Sequence, residues 1–86
     1  MFEYSMFNRL PVESQVDVLT KKGTAVAQRQ HKQYTITLYS LDNYFVELWE
    51  KEGIEIIGTF HKTVNALTIL EPYLDQMDTE NLLDLQ

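Results

Sequence analysis

The sequence contains no cysteine. That excludes a disulfide framework and any thiolate metal site, and it fits a reducing compartment. Histidine is scarce too. His31 and His61 are the only two, and no His-x-x-x-His or His-Glu spacing adds ligands to them, so they are expected on the surface and no metal is expected. The three glycines, Gly23, Gly53 and Gly58, stand too far apart to cradle a phosphate. Ser5, Ser14 and Ser40 fall in no nucleophile motif. Catalysis needs an acid, base or nucleophile with a positioned partner, so neither enzyme activity nor a cofactor is expected. No apolar run nears the roughly 20 residues of a membrane span, and Met1-Phe2-Glu3-Tyr4 lacks the basic start of a secretory signal. A soluble cytoplasmic protein is the expectation.

Positive charge is limited and unevenly placed within a net charge of −6. Residues 1–41 hold Arg9, Lys21, Lys22, Arg29 and Lys32 against Glu3, Glu13 and Asp17. Residues 63–86 hold Glu71, Asp75, Asp78, Glu80 and Asp84 with no base. Phosphate-backbone binding depends on clustered Lys and Arg, so nucleic acid is not an expected partner. Arg29, His31, Lys32 and Tyr34 read as a solvated turn. Asp75, Asp78 and Glu80 lack the twelve-residue calcium-loop pattern with its central glycine and read as a solvated tail.

What the chain does have is apolar residues, 44%, with 12% aromatics, which argues against disorder. Its 86 residues make one domain, with an arm over 1–10 and an acidic tail over 78–86. At this size folding buries only about 60–65% of the unfolded surface, so stability is modest unless another subunit covers more.

The stretch from Tyr34 to Phe60 organises the rest. It divides into three short strands at Asp42-Asn43 and Glu52-Gly53, pairs suited to two-residue hairpin turns because Asn and Gly tolerate positive φ. Two-residue loops fix the facing. Leu41 pairs Tyr44, Leu38 falls opposite Glu47, Ile36 opposite Trp49, Trp49 opposite Ile56 and Phe45 opposite Phe60. One face then carries Tyr34, Ile36, Leu38, Phe45, Trp49, Ile54, Ile56 and Phe60 and is the predicted core. The other carries Tyr39, Leu41, Tyr44, Val46, Leu48 and Ile57.

Before the meander, Phe2, Met6 and Leu10 are spaced by four and predict a helical arm. A helix over about 11–22 follows, with Pro11 at its start, Glu13 in its first turn, Lys21-Lys22 in its last and Gly23 as a left-handed stop. Its stripe is Val12, Val16 and Leu19. Thr24 to Gln30 reads as the first strand, where Ala25 and Ala27 let a helix approach, and His31-Lys32 is a poor turn signal. After the meander Thr63 is expected to cap a helix to about Met77, with Val64, Leu67, Leu70, Leu74 and Met77 on one face. Pro72 should kink or divide it near Thr68, and Asp78 caps a last turn, Thr79 to Leu85. The fold class is α+β: N-terminal helix, four-stranded antiparallel β-meander, C-terminal helix, with the helices on one sheet face.

The run Asn43-Tyr-Phe-Val-Glu-Leu-Trp-Glu50, the hairpin after it, Leu70-Glu-Pro-Tyr-Leu-Asp75 and the opening Leu19-Thr-Lys-Lys-Gly23 together resemble a group of small uncharacterised bacterial proteins. The resemblance spans about residues 10–80. It implies a shared architecture and no catalytic residue.

Glu47 is the odd residue, because the pairing sets it on the apolar face of a central strand. A lone buried carboxylate costs several kcal/mol or shifts its pKa, so it needs a partner. With Trp49 it makes a candidate ligand-binding pair; the alternative is an ion pair with Arg29 or Lys51. The leading expectation is a non-catalytic protein-interaction domain that forms a homodimer through the outer sheet face or its edge, with Tyr39, Leu41, Tyr44, Val46, Leu48 and Ile57 as the interface. The rival is that the arm from Phe2 to Leu10 covers that face. Two other functions compete: a small-ligand module using a cleft between sheet and C-terminal helix, and an acidic chaperone or antitoxin-like partner of a basic protein.

Overall fold

A computed structural model describes residues 3–60 and 64–74. The chain folds as α+β. Two short helices, α1 (Tyr4–Arg9) and α2 (Val12–Lys22), lead into strands β1 (Thr24–His31), β2 (Tyr34–Leu41), β3 (Tyr44–Lys51) and β4 (Ile54–Thr59), and α3 (Ala66–Leu74) follows. The strands pair antiparallel in sequence order. Their register matches the sequence-derived pairing: Leu41 faces Tyr44, Leu38 faces Glu47, Ile36 faces Trp49, and Trp49 faces Ile56. The β3–β4 ladder ends at Val46 and Thr59, one step short of Phe45 and Phe60.

Positive φ closes the turns. Gly53 (+84°) adopts it where the sequence signalled it, with Glu52 (+45°) beside it; in the β2–β3 turn Asp42 (+55°) takes it rather than Asn43. The β1–β2 turn is Lys32-Gln33, at +48° and +72°, so His31 is the last residue of β1 rather than part of the turn. Neither Lys nor Gln is a turn former of choice. The tight flanking pair His31 and Tyr34 imposes the geometry there.

The helices do not share one sheet face. α1 and α2 pack on one side, where Phe7 and Leu19 meet Leu41, Val46 and Leu48. α3 packs on the other, where Ile69 and Tyr73 meet Ile36 and Leu38. Both sheet faces are too apolar to leave open, so each is covered and the domain has three layers. Phe7 and Leu19 are fully buried, which stabilises the first cluster by about 1.5–3 kcal/mol each. The six residues expected at a dimer interface therefore form the floor beneath α1 and α2. The chain itself covers this face, in part with Phe7 and Leu10 of the arm that the rival reading placed there.

Several local expectations change with the packing. In α1 the inward residue is Phe7, with Met6 half-exposed. Phe7 is the larger side chain and sits against Tyr44, 6.2 Å between ring centroids. Gln15, rather than Val12, joins Leu19 as a buried residue of α2. Its Nε2 donates to the Phe7 carbonyl at 2.9 Å and ties the two helices together. Gly23 ends α2 in extended backbone (φ −81°), not left-handed; its missing Cβ matters instead, since one would lie 2.7 Å from the Leu19 carbonyl oxygen. Asn65 caps α3, accepting from the Thr68 N–H at 2.9 Å. Pro72 lies inside α3 without dividing it. The buried stripe of α3 is Ile69 and Tyr73 with Leu70, while Leu67 is 77% exposed and Leu74 is exposed as well. Ala27 packs in that cluster, so its small side chain does admit a helix. The expectations for Phe2, His61, Thr63, Met77, Asp78 and the last turn lie outside the described residues.

Candidate functional site

Glu47 lies on the α3 face of β3, 7% exposed, opposite Leu38 on one side and Gly58 on the other. Gly58 leaves room for the carboxyl: a Cβ there would touch Glu47 Oε1 at 3.6 Å. Three neighbours from three elements converge on it. Trp49 Nε1, two residues along β3, donates to Oε1 at 3.0 Å. Tyr73 Oη, from α3, donates to Oε2 at 2.6 Å. Arg29 Nη2, from β1, lies 3.5 Å from Oε2. Of the two partners weighed from sequence, Arg29 is the one it meets. Lys51 instead stands over the Tyr34 ring, 5.4 Å from its centroid.

Arg29 is held mainly by rings. Its guanidinium carbon lies 5.5 Å from the Trp49 centroid and 5.2 Å from that of Tyr73, distances at which a cation is attracted to the aromatic face. Its Nε is buried with no acceptor among the described residues. Tyr34 and His31 stack edge-on against Trp49 at 5.6 and 6.0 Å. Burial raises the Tyr73 hydroxyl pKa, and the hydrogen bond and charge of Glu47 raise it further, against an opposing pull from Arg29. The hydroxyl thus stays protonated and donating. Chemically the cluster is a clasp between helix and sheet, with the Glu47 oxygens taken up by its own chain.

Sequence reading singled out Glu47, Trp49 and Arg29, and the structure brings these together. It missed Tyr73. The available signal was a phenol at the 3–4 spacing of Ala66, Ile69, Leu70 and Tyr73, since a buried tyrosine needs an acceptor. A cleft does open between sheet and C-terminal helix, of ≈ 540 Å³, but elsewhere: its walls include Tyr4, Tyr44, Phe45, Phe60, Val64 and Ile69. Neither Glu47 nor Trp49 lines it.

The outer edge of β4 is the second candidate. Lys51 and Ile54 flank the two-residue turn and close it as a hydrogen-bonded pair, and such pairs alternate along an antiparallel ladder. Ile54, Ile56 and Gly58 therefore bond to β3, while Glu55, Ile57 and Thr59 turn N–H and C=O outward. No backbone bond outside the ladder engages β4 among the described residues. Ile54 and Ile56 are 51% and 46% exposed on the α3 side. The opposite edge differs: β1 carries a bulge between Ala25 and Ala27, a usual protection against strand pairing.

Among the described residues no group of three or more His, Cys, Asp or Glu is placed to hold a metal ion, and no helix is long and apolar enough to cross a membrane. The chain matches no protein-family model, no curated protein and no solved structure at a significant level.

Proposed function

We propose that this chain is a non-catalytic protein-interaction domain that takes an additional strand on the edge of β4. One observation carries the reading: among the described residues the last strand of the sheet keeps three outward amides unpaired beside two half-exposed isoleucines. An open edge strand flanked by apolar side chains is a template for another strand, and proteins that must avoid pairing blunt it with lysine, proline or a bulge. Ile54-Glu-Ile-Ile-Gly-Thr59 contains none of the three. The non-catalytic part rests on Glu47, whose oxygens serve Trp49, Tyr73 and Arg29. The cytoplasm is the compartment this reading assigns, on the sequence grounds given above.

Self-association is the second reading, through the sheet edge rather than the covered face. A twofold pairing keeps like faces together, and centred on Ile56 it would join the two isoleucine strips into one apolar surface. Residue-resolved hydrogen exchange tests strand addition itself. The amides of Glu55, Ile57 and Thr59 should exchange fast in dilute protein and slow when the edge is occupied, at tens of micromolar if the occupant is a second copy. Protection of those three amides in dilute monomer would show the edge already closed.

A further inference from the structure

β4 brings an outward row of backbone groups, an apolar strip and a pair of carboxylates to one place. Glu50 and Glu55 are directly opposed on β3 and β4, on the α2 side of the sheet. Both are exposed, and among the described residues neither takes part in an ion pair. Like charges opposed across a ladder destabilise it, and among the described residues no ion pair offsets them. Lys51, between them in sequence, is turned to the other face over Tyr34. Glu52 in the turn adds a third carboxylate, and all three border a shallow groove with Thr35, Gln33 and Lys51, three carboxylates to one base.

A strand added to β4 would point alternate side chains to the two faces. Those on the α2 side fall beside Glu55 and near Glu50; those on the α3 side fall beside Ile54 and Ile56. Resting on the strand-addition reading, we propose that the partner is a different chain: an extended segment of about six residues alternating basic and apolar side chains, matched to β4. Its Lys or Arg residues neutralise the opposed glutamates, and its apolar residues cover the isoleucines. A second copy fits this edge less well. It brings another net charge of −6, and no base of its own β4 to set against Glu55.

The test uses two capped octapeptides, one alternating valine with lysine and one alternating valine with glutamate, titrated into the full chain and followed by amide chemical shifts. The lysine peptide should bind, shifting Glu55, Ile57, Thr59 and their neighbours, and the glutamate peptide should not. Glu50→Gln with Glu55→Gln should weaken binding about three- to tenfold, and 0.5 M salt should weaken the wild-type complex similarly. Thr59→Pro removes an outward N–H without touching the ladder and should abolish binding while far-ultraviolet circular dichroism stays unchanged. Equal binding of both peptides overturns the basic partner and leaves strand addition standing. A chain that binds neither peptide but dimerises, with Thr59→Pro preventing it, makes the occupant a second copy and also overturns the inference alone. Shifts confined to other surfaces, or no binding and no dimer, overturn both.

Discussion

Tyr73 and Glu47, 26 positions apart in sequence, meet in a 2.6 Å hydrogen bond across the interface between α3 and the sheet. It joins the last described helix to the third strand at a point where Arg29 of β1 also arrives. A hydrogen bond to a charged group contributes about 1.5–3 kcal/mol. Tyr73→Phe should cost that much by urea denaturation, because Glu47 keeps Trp49 and Arg29. Glu47→Ala should cost about 3–5 kcal/mol, since it strands the buried guanidinium. Equal losses for the two would mean that the phenol, not the ion pair, carries the clasp.

The same tyrosine gives an alkaline limit. Its hydroxyl is raised above the ordinary value of 10.0, so it stays protonated in the fold where the unfolded chain ionises. The unfolded chain then binds fewer protons, and stability falls as pH rises. Tyr44 is raised as well, by burial and then by the charge of Asp42, and adds the same sign. Stability should be full below about pH 10 and decline above it, less steeply in Tyr73→Phe. Urea midpoints at pH 8 and pH 11 decide this; a wild-type midpoint no lower at pH 11 rejects it.

Two glycines should respond oppositely to alanine. At Gly23 a Cβ would sit 2.7 Å from backbone oxygen that cannot move aside, so Gly23→Ala should lose about 1–3 kcal/mol. At Gly58 the nearest atoms are 3.6–3.7 Å away, ordinary contact. Gly58→Ala should gain about 0.4–1 kcal/mol by restricting the unfolded chain. Thermal melts of the two variants should bracket wild type.

Leu48 reports on the layer order. It is 2% exposed beneath the N-terminal helices, so Leu48→Glu should leave no folded monomer by circular dichroism at 25 °C. A buried carboxylate without a partner costs several kcal/mol, a large share of the stability of so small a domain. A folded Leu48→Glu would mean that α1 and α2 do not cover this face.

The sheet was legible because its turns are. Two-residue loops at Asp42-Asn43 and Glu52-Gly53 fix parity, and parity fixes which side chains share a face. Even the odd placement of Glu47 came out of that arithmetic, and with it the need for a partner, Arg29 or Lys51, between which only the structure decides. Helix placement was not legible. Strand alternation shows two apolar faces but does not say which helix covers which. In α1 and α3 competing stripes, Met6 against Phe7 and Leu67 against Ile69, differ by a rotation that only packing decides. Tyr73 was missed for the same reason, since it belongs to the stripe that was not chosen.

Every strand in this sheet pairs only with its neighbour in sequence, and that bears on how the domain forms. Short loops make each pairing entropically cheap, and chains with mostly local contacts fold fast. The β2–β3 hairpin can zip from Asp42-Asn43 and template β1 and β4 on its two sides. α3 has no such local partner: it must find Arg29 and Glu47 after the strands that carry them have met. In folding kinetics Tyr73→Phe should therefore leave the folding rate nearly unchanged and accelerate unfolding, the mark of a contact made after the transition state.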